Sequence, residues 1–216
     1  MIFRLIFYIL LFQITAHAEI KSSLSKSVTE THHPLNYKEA NLYLFTKIDN
    51  HNGLVCSVYS PSECIKTVVV PSPKIMNVEH TWPQSEGANG IAKSDLHHIF
   101  PTSSSTNSMR SSLPFCNVDN IKWEEDQSKR GLNAFGEHCF EPPMAHKGRV
   151  ARALFYFSIR YQKPIENHQE LFLRQWHKEH PVTEEEKERN TSISLYQNNS
   201  NPFIENPELV NAIEDF

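Results

Sequence analysis

Residues 1–18 carry the marks of an export leader, which fixes the compartment in which the rest of the chain folds. Met1 and Arg4 make a short positive start, Leu5 to Phe12 run almost purely apolar, and Thr15-Ala16-His17-Ala18 offers an A-x-A cleavage site. The apolar run is too short to span a bilayer and is followed by polar sequence from Glu19 to Asn36, so a membrane anchor is the poorer reading. An exported chain, periplasmic or extracellular, folds where thiols oxidise. Its four cysteines then fit two disulfides, and the spacing makes Cys56 with Cys64 and Cys116 with Cys139 the simplest of the three connectivities. Zinc is the functional alternative, but no two of the cysteines form a C-x-x-C knuckle.

The formal charge of −4 looks wrong for a partner of nucleic acid. Attraction to phosphate, however, is local and decays over a Debye length of ~10 Å in ordinary salt. The charges here are segregated. Glu184, Glu185, Glu186 and Glu188 gather the acids, whereas Arg110, Lys122, Lys129, Arg130, Lys147, Arg149 and Arg152 occupy the middle of the chain.

The pattern predicts one domain over residues 19–216, α+β in class, with no further segment able to cross a membrane, and a monomer. Residues 19–36 lack a clear period and read as a loosely ordered lead-in. Apolar positions from Ala40 to Ile48 predict a helix over 38–48, and the run Thr67-Val68-Val69-Val70 predicts a short buried strand. Ile75 to Val78 predicts another strand, with Glu79 and His80 at or near its end. Residues 84–95 read as loop and 103–112 as a polar turn or helix start. Val150, Ala153, Leu154, Phe157 and Tyr161 recur at helical spacing, giving a long helix from near Lys147 to before Pro164. Leu171, Phe172 and Trp176 mark a second helix, a Thr183/Glu186 capping box opens a third, and Asn206-Pro207 opens a fourth. The chain has no internal repeat and no Gly-rich phosphate loop.

Hydrolysing a phosphodiester needs an activated water, charge stabilisation on the phosphorane-like transition state and help for the departing alkoxide. A histidine beside a carboxylate, as in Asn77-Val78-Glu79-His80-Thr81-Trp82-Pro83, offers two of these. Adjacent residues on an extended backbone point to opposite sides, so the pair shares a ligand only if the strand ends there. Taken alone, the pair reads equally well as surface residues beside a Trp-Pro turn. Magnesium prefers oxygen donors and keeps several waters, so a carboxylate and the amide oxygen of Asn107 suffice to hold it; Ca²⁺ or Mn²⁺ fits the same shell. Arg110 lies three residues on, on the same helical face, with a fork of donors suited to a phosphate oxygen. Without its neighbours Asn107 reads as a turn or cap residue. His97 and His98 lack the spacing of a zinc pair, so one of them is expected to support the site from within, oriented by Asp95.

The residues resemble the bacterial endonuclease I family of periplasmic and extracellular nucleases. The likeness rests on Asn-Val-Glu-His-Thr-Trp-Pro-Gln-Ser (77–85), Lys-Ser-Asp-Leu-His-His-Ile-Phe-Pro-Thr (93–102), Asn-x-x-Arg (107–110), Phe-Glu-Pro-Pro-x-x-x-Lys-Gly-x-Val-Ala-Arg-Ala-x-Phe-Tyr (140–156) and Asn-Pro-Phe-Ile (201–204), in that order along most of the chain. The resemblance implies a ββα-metal (His-Me finger) core in a largely helical domain. It implies cleavage of DNA, and often RNA, through the phosphate backbone with little sequence preference, leaving 5′-phosphate ends. By position it makes His80 the general base, Glu79 and Asn107 the magnesium ligands, and Arg110 a positive residue near the phosphate. Arg152, Lys147 and Glu141 fall in family segments where substrate contact and structural ion pairing are both open. The interval from His80 to Asp95 is that of the compact members, so contacts that longer relatives place there have no counterpart. Three rivals stand beside this reading: an RNA-restricted ribonuclease, a non-catalytic secreted module that binds metal or nucleic acid, and a metallopeptidase, which lacks its His-Glu-x-x-His pair here.

Overall fold

The computed structural model describes residues 19–216; the leader read at 1–18 lies outside the described residues. Residues 19–30 are helical (α1), with Val28 buried at 4 % exposure and Leu24 packed on the main core. The expected loose lead-in is therefore corrected: two apolar residues four apart put one side of this polar stretch onto the core.

Helix α2 (Tyr37–Tyr43) opens with a full capping box between Asn36 and Glu39 and runs on as a π-helical turn, Leu44–Ile48. Strands β1 (Leu54–Cys56) and β2 (Cys64–Lys66) form an antiparallel hairpin in which Cys56 faces Cys64. Both expected disulfides, Cys56–Cys64 and Cys116–Cys139, are formed. Residues 67–70 are not the buried strand that their β-branched run suggests. Among the described residues no strand pairs with them, Pro71 follows directly, and Val68 and Val69 are 79 % and 63 % exposed.

Next comes the unit that holds the candidate residues Glu79, His80, Asn107 and Arg110. Strand β3 (Met76–His80) pairs antiparallel with β4 (Ile99–Ser103), Glu79 facing Phe100 and His80 facing Ile99. Helix α3 (Ser104–Arg110) follows β4 without a loop, its first turn capped by the Ser103 hydroxyl, which accepts from the Thr106 N–H. The 18 residues between the strands contain two 3-10 turns, Gln84–Glu86 and Gly90–Ser94. A three-stranded antiparallel sheet follows, β5 (Asn120–Glu125), β6 (Ser128–Leu132) and β7 (His138–Glu141), in that order across the sheet.

The C-terminal part is helical. Helix α4 (Met144–Tyr161) is buried on nearly every side from Val150 to Arg160 and forms the spine of the main core with Trp82, Phe115, Phe140, Trp176, Phe203 and Phe216. Around it lie α5 (Asn167–Glu179), α6 (Glu184–Gln197), α7 (Pro202–Glu205) and a closing 3-10 turn, Pro207–Ala212. Half of the expected capping box opens α6: the Thr183 hydroxyl accepts from the Glu186 N–H, but the Glu186 carboxylate is taken by Arg152. A second core of Leu44, Phe45, Met76, Val78, Leu96, Ile99 and Ile193 backs the β3–β4 pair. The mixture of helices with small antiparallel sheets is the α+β class expected. No helix among the described residues is long and apolar enough to cross a membrane.

Candidate active site

Strand β3 ends in Glu79 and His80, 2 % and 6 % exposed. Side chains alternate along a strand, and the two residues accordingly have separate sets of partners. The Glu79 carboxylate accepts the Tyr59 hydroxyl hydrogen at 2.8 Å on Oε1, and Nη1 of Arg110 lies 3.4 Å from the same oxygen. Burial pushes the Glu79 carboxyl up, while the Arg110 charge and the Tyr59 hydroxyl pull it back; burial is the larger effect.

The His80 ring is held on its other partners. Its Nε2 lies 3.0 Å from the Lys93 carbonyl oxygen, which can only accept, so Nε2 carries the hydrogen and Nδ1 keeps its lone pair. The Gln84 amide donates to Nδ1 at 3.3 Å. Tyr37 stacks beside the ring at 6.1 Å between centroids, and the Lys93 ammonium sits 4.4 Å over Tyr37. Burial, then the positive potential of His98, Lys93 and Arg110, pushes the His80 pKa down to about 3 against the opposing Lys93 carbonyl. At neutral pH the imidazole is therefore uncharged, with its free nitrogen on the Gln84 side.

Asn107 projects from α3 and donates Nδ2 to the Val78 carbonyl at 3.4 Å. That leaves the amide oxygen as its acceptor. The set thus offers hard oxygens, one from a carboxylate and one from a carboxamide, which is the donor chemistry of Mg²⁺, Mn²⁺ or Ca²⁺ rather than of zinc.

Arg110 differs from the expectation of a phosphate-facing cation. It is 2 % exposed, and its guanidinium donates to the carbonyls of His80 (3.3 Å), Thr81 (2.8 Å) and Ser111 (3.1 Å) while pairing with Glu79 and lying over the Phe115 ring. The last turn of α3 faces the end of β3, where carbonyls beyond the strand have no ladder partner, and a five-donor fork satisfies several at once. Arg110 is the bracket that fixes β3 to α3.

The supporting residues resolve similarly. Asp95 is fully buried and accepts from the Tyr156 and Tyr161 hydroxyls (2.8 Å each), the Gln197 amide and the His97 N–H. The expectation from sequence that Asp95 orients one of the two imidazoles is corrected: the His97 ring is held by the Asn199 carbonyl and the His98 ring by that of Ala92. His98 does pack near the site, 5.8 Å from His80 between ring centroids. Arg152 is 1 % exposed and grips both oxygens of Glu186 at 2.6 Å, with the His180 carbonyl as a third partner. Gly148 permits this approach, since a Cβ there would lie 2.5 Å from that carbonyl oxygen. Lys147 bonds Glu141 and Asn117, and the other Glu141 oxygen accepts from Val118 N–H, so both tie α4 to the sheet. Between the two open readings of Arg152, Lys147 and Glu141, the geometry is that of structural ion pairs.

Three contacts were not foreseen. Gln84 sits four residues past His80 inside the motif, a visible neighbour. Tyr59 and the Lys93 carbonyl carry no local signal, because each reaches the site across a long stretch of chain.

Comparison with known proteins decides the relationship: the model of the Endonuclease I family matches residues 16–208. The chain belongs to the endonuclease I family. It is 30 % identical over 218 residues to the extracellular ribonuclease of Bacillus subtilis (strain 168), an alignment covering 90 % of this chain and 73 % of that protein. It is 31 % identical over 145 residues to an extracellular deoxyribonuclease of Aeromonas hydrophila, covering 63 % of each. An Endonuclease-1 of Buchnera aphidicola subsp. Acyrthosiphon pisum (strain APS) is 28 % identical over 112 residues, or 52 % of this chain and 44 % of that one. Family membership and the α+β fold stand together, and three of the five sequence segments, 77–85, 93–102 and 107–110, fall in the β3–β4–α3 unit.

Proposed function

We propose that this chain is an exported endonuclease, dependent on a divalent metal ion, that hydrolyses phosphodiester bonds of DNA and RNA with little sequence preference. The β3–β4–α3 unit serves as its ββα-metal core. The single observation that carries this reading is the His80–Lys93 bond, which holds a neutral imidazole with its Nδ1 lone pair unprotonated on the same β3–α3 unit that carries Glu79 and Asn107.

Nδ1 of His80 accepts a proton from a water, and the water oxygen attacks phosphorus opposite the 3′-oxygen, which leaves; the product carries a 5′-phosphate. Gln84 moves off Nδ1 to admit that water, a small motion for an exposed side chain on a short turn. Glu79 and Asn107 would hold the ion, which would supply positive charge to stabilise the transition state and the departing oxygen. Arg110 keeps Glu79 in place. Contacts made to the backbone rather than to bases give broad substrate use and strong inhibition by salt.

A narrower reading, a nuclease for RNA alone, is favoured by the name of the Bacillus subtilis relative; the Aeromonas hydrophila relative argues for DNA. Digestion of supercoiled plasmid and of single-stranded RNA by the purified protein, each with and without chelator, tests both. Chelator-sensitive loss of both substrates is expected. Loss of RNA alone would restrict the activity, and loss of neither would leave a binding module.

A further inference from the structure

The two donors that reach Glu79 fall on one oxygen. The Tyr59 hydroxyl bonds Oε1 at 2.8 Å and Arg110 pairs with Oε1 at 3.4 Å, while Oε2 takes no hydrogen bond from any described residue. An ionised carboxylate has about four lone-pair sites, two on each oxygen. With the Tyr59 hydrogen bond and the nearest Arg110 nitrogen both at Oε1, the oxygen left without a hydrogen bond among the described residues is Oε2. We infer that Tyr59 is a positioning residue of the metal centre: it fixes Glu79 as a one-oxygen ligand acting through Oε2 and sets how tightly the ion is held. The inference rests on the reading of Glu79 as a metal ligand and adds the residue that controls it.

Tyr59 is well placed for this. It is fully buried, its ring 4.9 Å from that of Phe140, and its carbonyl accepts the Ser128 hydroxyl at 2.7 Å. The chain around it is stitched to the element that carries the second proposed ligand. Ser57 Oγ accepts from the N–H of Ser103, and the Ser60 hydroxyl bonds that of Thr106 at 2.5 Å, one residue before Asn107. The segment after β1 thus fixes Glu79 through Tyr59 and the start of α3 through hydroxyls, so both oxygens are set by one rigid body. A second partner on a metal-ligating carboxylate commonly changes affinity by roughly 10- to 100-fold.

The test is Mn²⁺ binding to the purified protein, followed by titration calorimetry and by the spin-resonance signal of the free ion, with no substrate present. Tyr59→Phe keeps the ring and removes the donor, and is expected to bind Mn²⁺ about 10- to 100-fold more weakly. Introduced into Glu79→Ala, it should produce no further loss, because the residue it acts through is gone. Wild-type affinity in Tyr59→Phe, with Glu79→Ala clearly weakened, overturns the role of Tyr59 and leaves Glu79 a ligand. Wild-type affinity in Glu79→Ala itself overturns the underlying reading as well. Crystals of the unaltered protein soaked in Mn²⁺ give an answer that needs no variant: anomalous density beside Oε2, with Tyr59 still on Oε1, is expected, and density on Oε1 or shared between both oxygens overturns the inference.

Discussion

Nε2 of His80 donates to the main-chain carbonyl of Lys93 across 3.0 Å, and this bond selects the tautomer on which the proposed chemistry depends. A positioned general base contributes on the order of 10²–10⁴ in rate. His80→Ala is therefore expected to lose that factor in plasmid nicking while keeping its near-UV circular dichroism and thermal midpoint close to wild type. Near-normal nicking would remove His80 from the base role.

Arg110 separates two views of the site by one measurement. A phosphate-contacting arginine, when truncated, raises KM and leaves stability alone. A buried bracket does the opposite. Breaking a buried ion pair by removing one partner costs about 3–5 kcal/mol, and Arg110→Ala also strands the carbonyls of His80 and Thr81. The expected result is a large fall in denaturation midpoint together with weaker metal binding; unchanged stability with a higher KM would restore the phosphate contact.

Arg152 and Glu186 form a second buried pair, remote from His80, with both oxygens of the carboxylate engaged. Arg152→Ala should lose stability on a similar scale, about 3–5 kcal/mol, in chemical denaturation. Activity per folded molecule at low temperature should stay within a few-fold. A loss of turnover without loss of stability would instead make Arg152 a substrate contact.

Buried histidines set the acid response. Burial lowers His80 to about 3 and His97 to about 4, and it lowers His98 and His146 as well. Each is neutral in the folded chain but binds a proton below ~6.5 when unfolded. Between ~6.5 and the folded values the unfolded state holds more protons, so stability falls as pH drops through that window. Asp95 adds to the lower part. Burial alone would raise its carboxyl, but the neighbouring histidines, which gain charge at the acid end of the range, and the Gln197 amide outweigh it and hold it below the usual carboxylate range. Its contribution is present above the unfolded value of ~3.9 and is lost below it. Urea denaturation from pH 8 to pH 3 should show weakening that starts near ~6.5 and steepens below ~4. Stability that stays flat from pH 8 to pH 5 would contradict the buried neutral rings.

What the sequence made legible follows from the range of the interactions. Glu79 and His80 at the end of a strand, Asn107 and Arg110 on one short helix, the span of α4 and both disulfides are local or periodic features, and each could be read before folding. Arg110 was placed correctly along the chain but given the wrong environment, since nothing in Asn-x-x-Arg tells that three carbonyls and a carboxylate converge on its guanidinium. Tyr59 carries no local signal for the same reason: it sits in the loop of the disulfide-closed β1–β2 hairpin, twenty residues before Glu79. Residues 19–30 and 67–70 depart from their sequence patterns in opposite senses. Tertiary contact turned a polar stretch into a docked helix, and the lack of a partner left a β-branched run without a sheet.

That run, Val68-Val69-Val70, has a bearing on how the molecule behaves in company. Exposed apolar segments of high strand propensity recruit their like from neighbouring chains when their backbone can offer a continuous ladder. Pro71 and Pro73 stand immediately after it, without amide hydrogens to lend. The two prolines thus make the segment a poor template for pairing with a second chain.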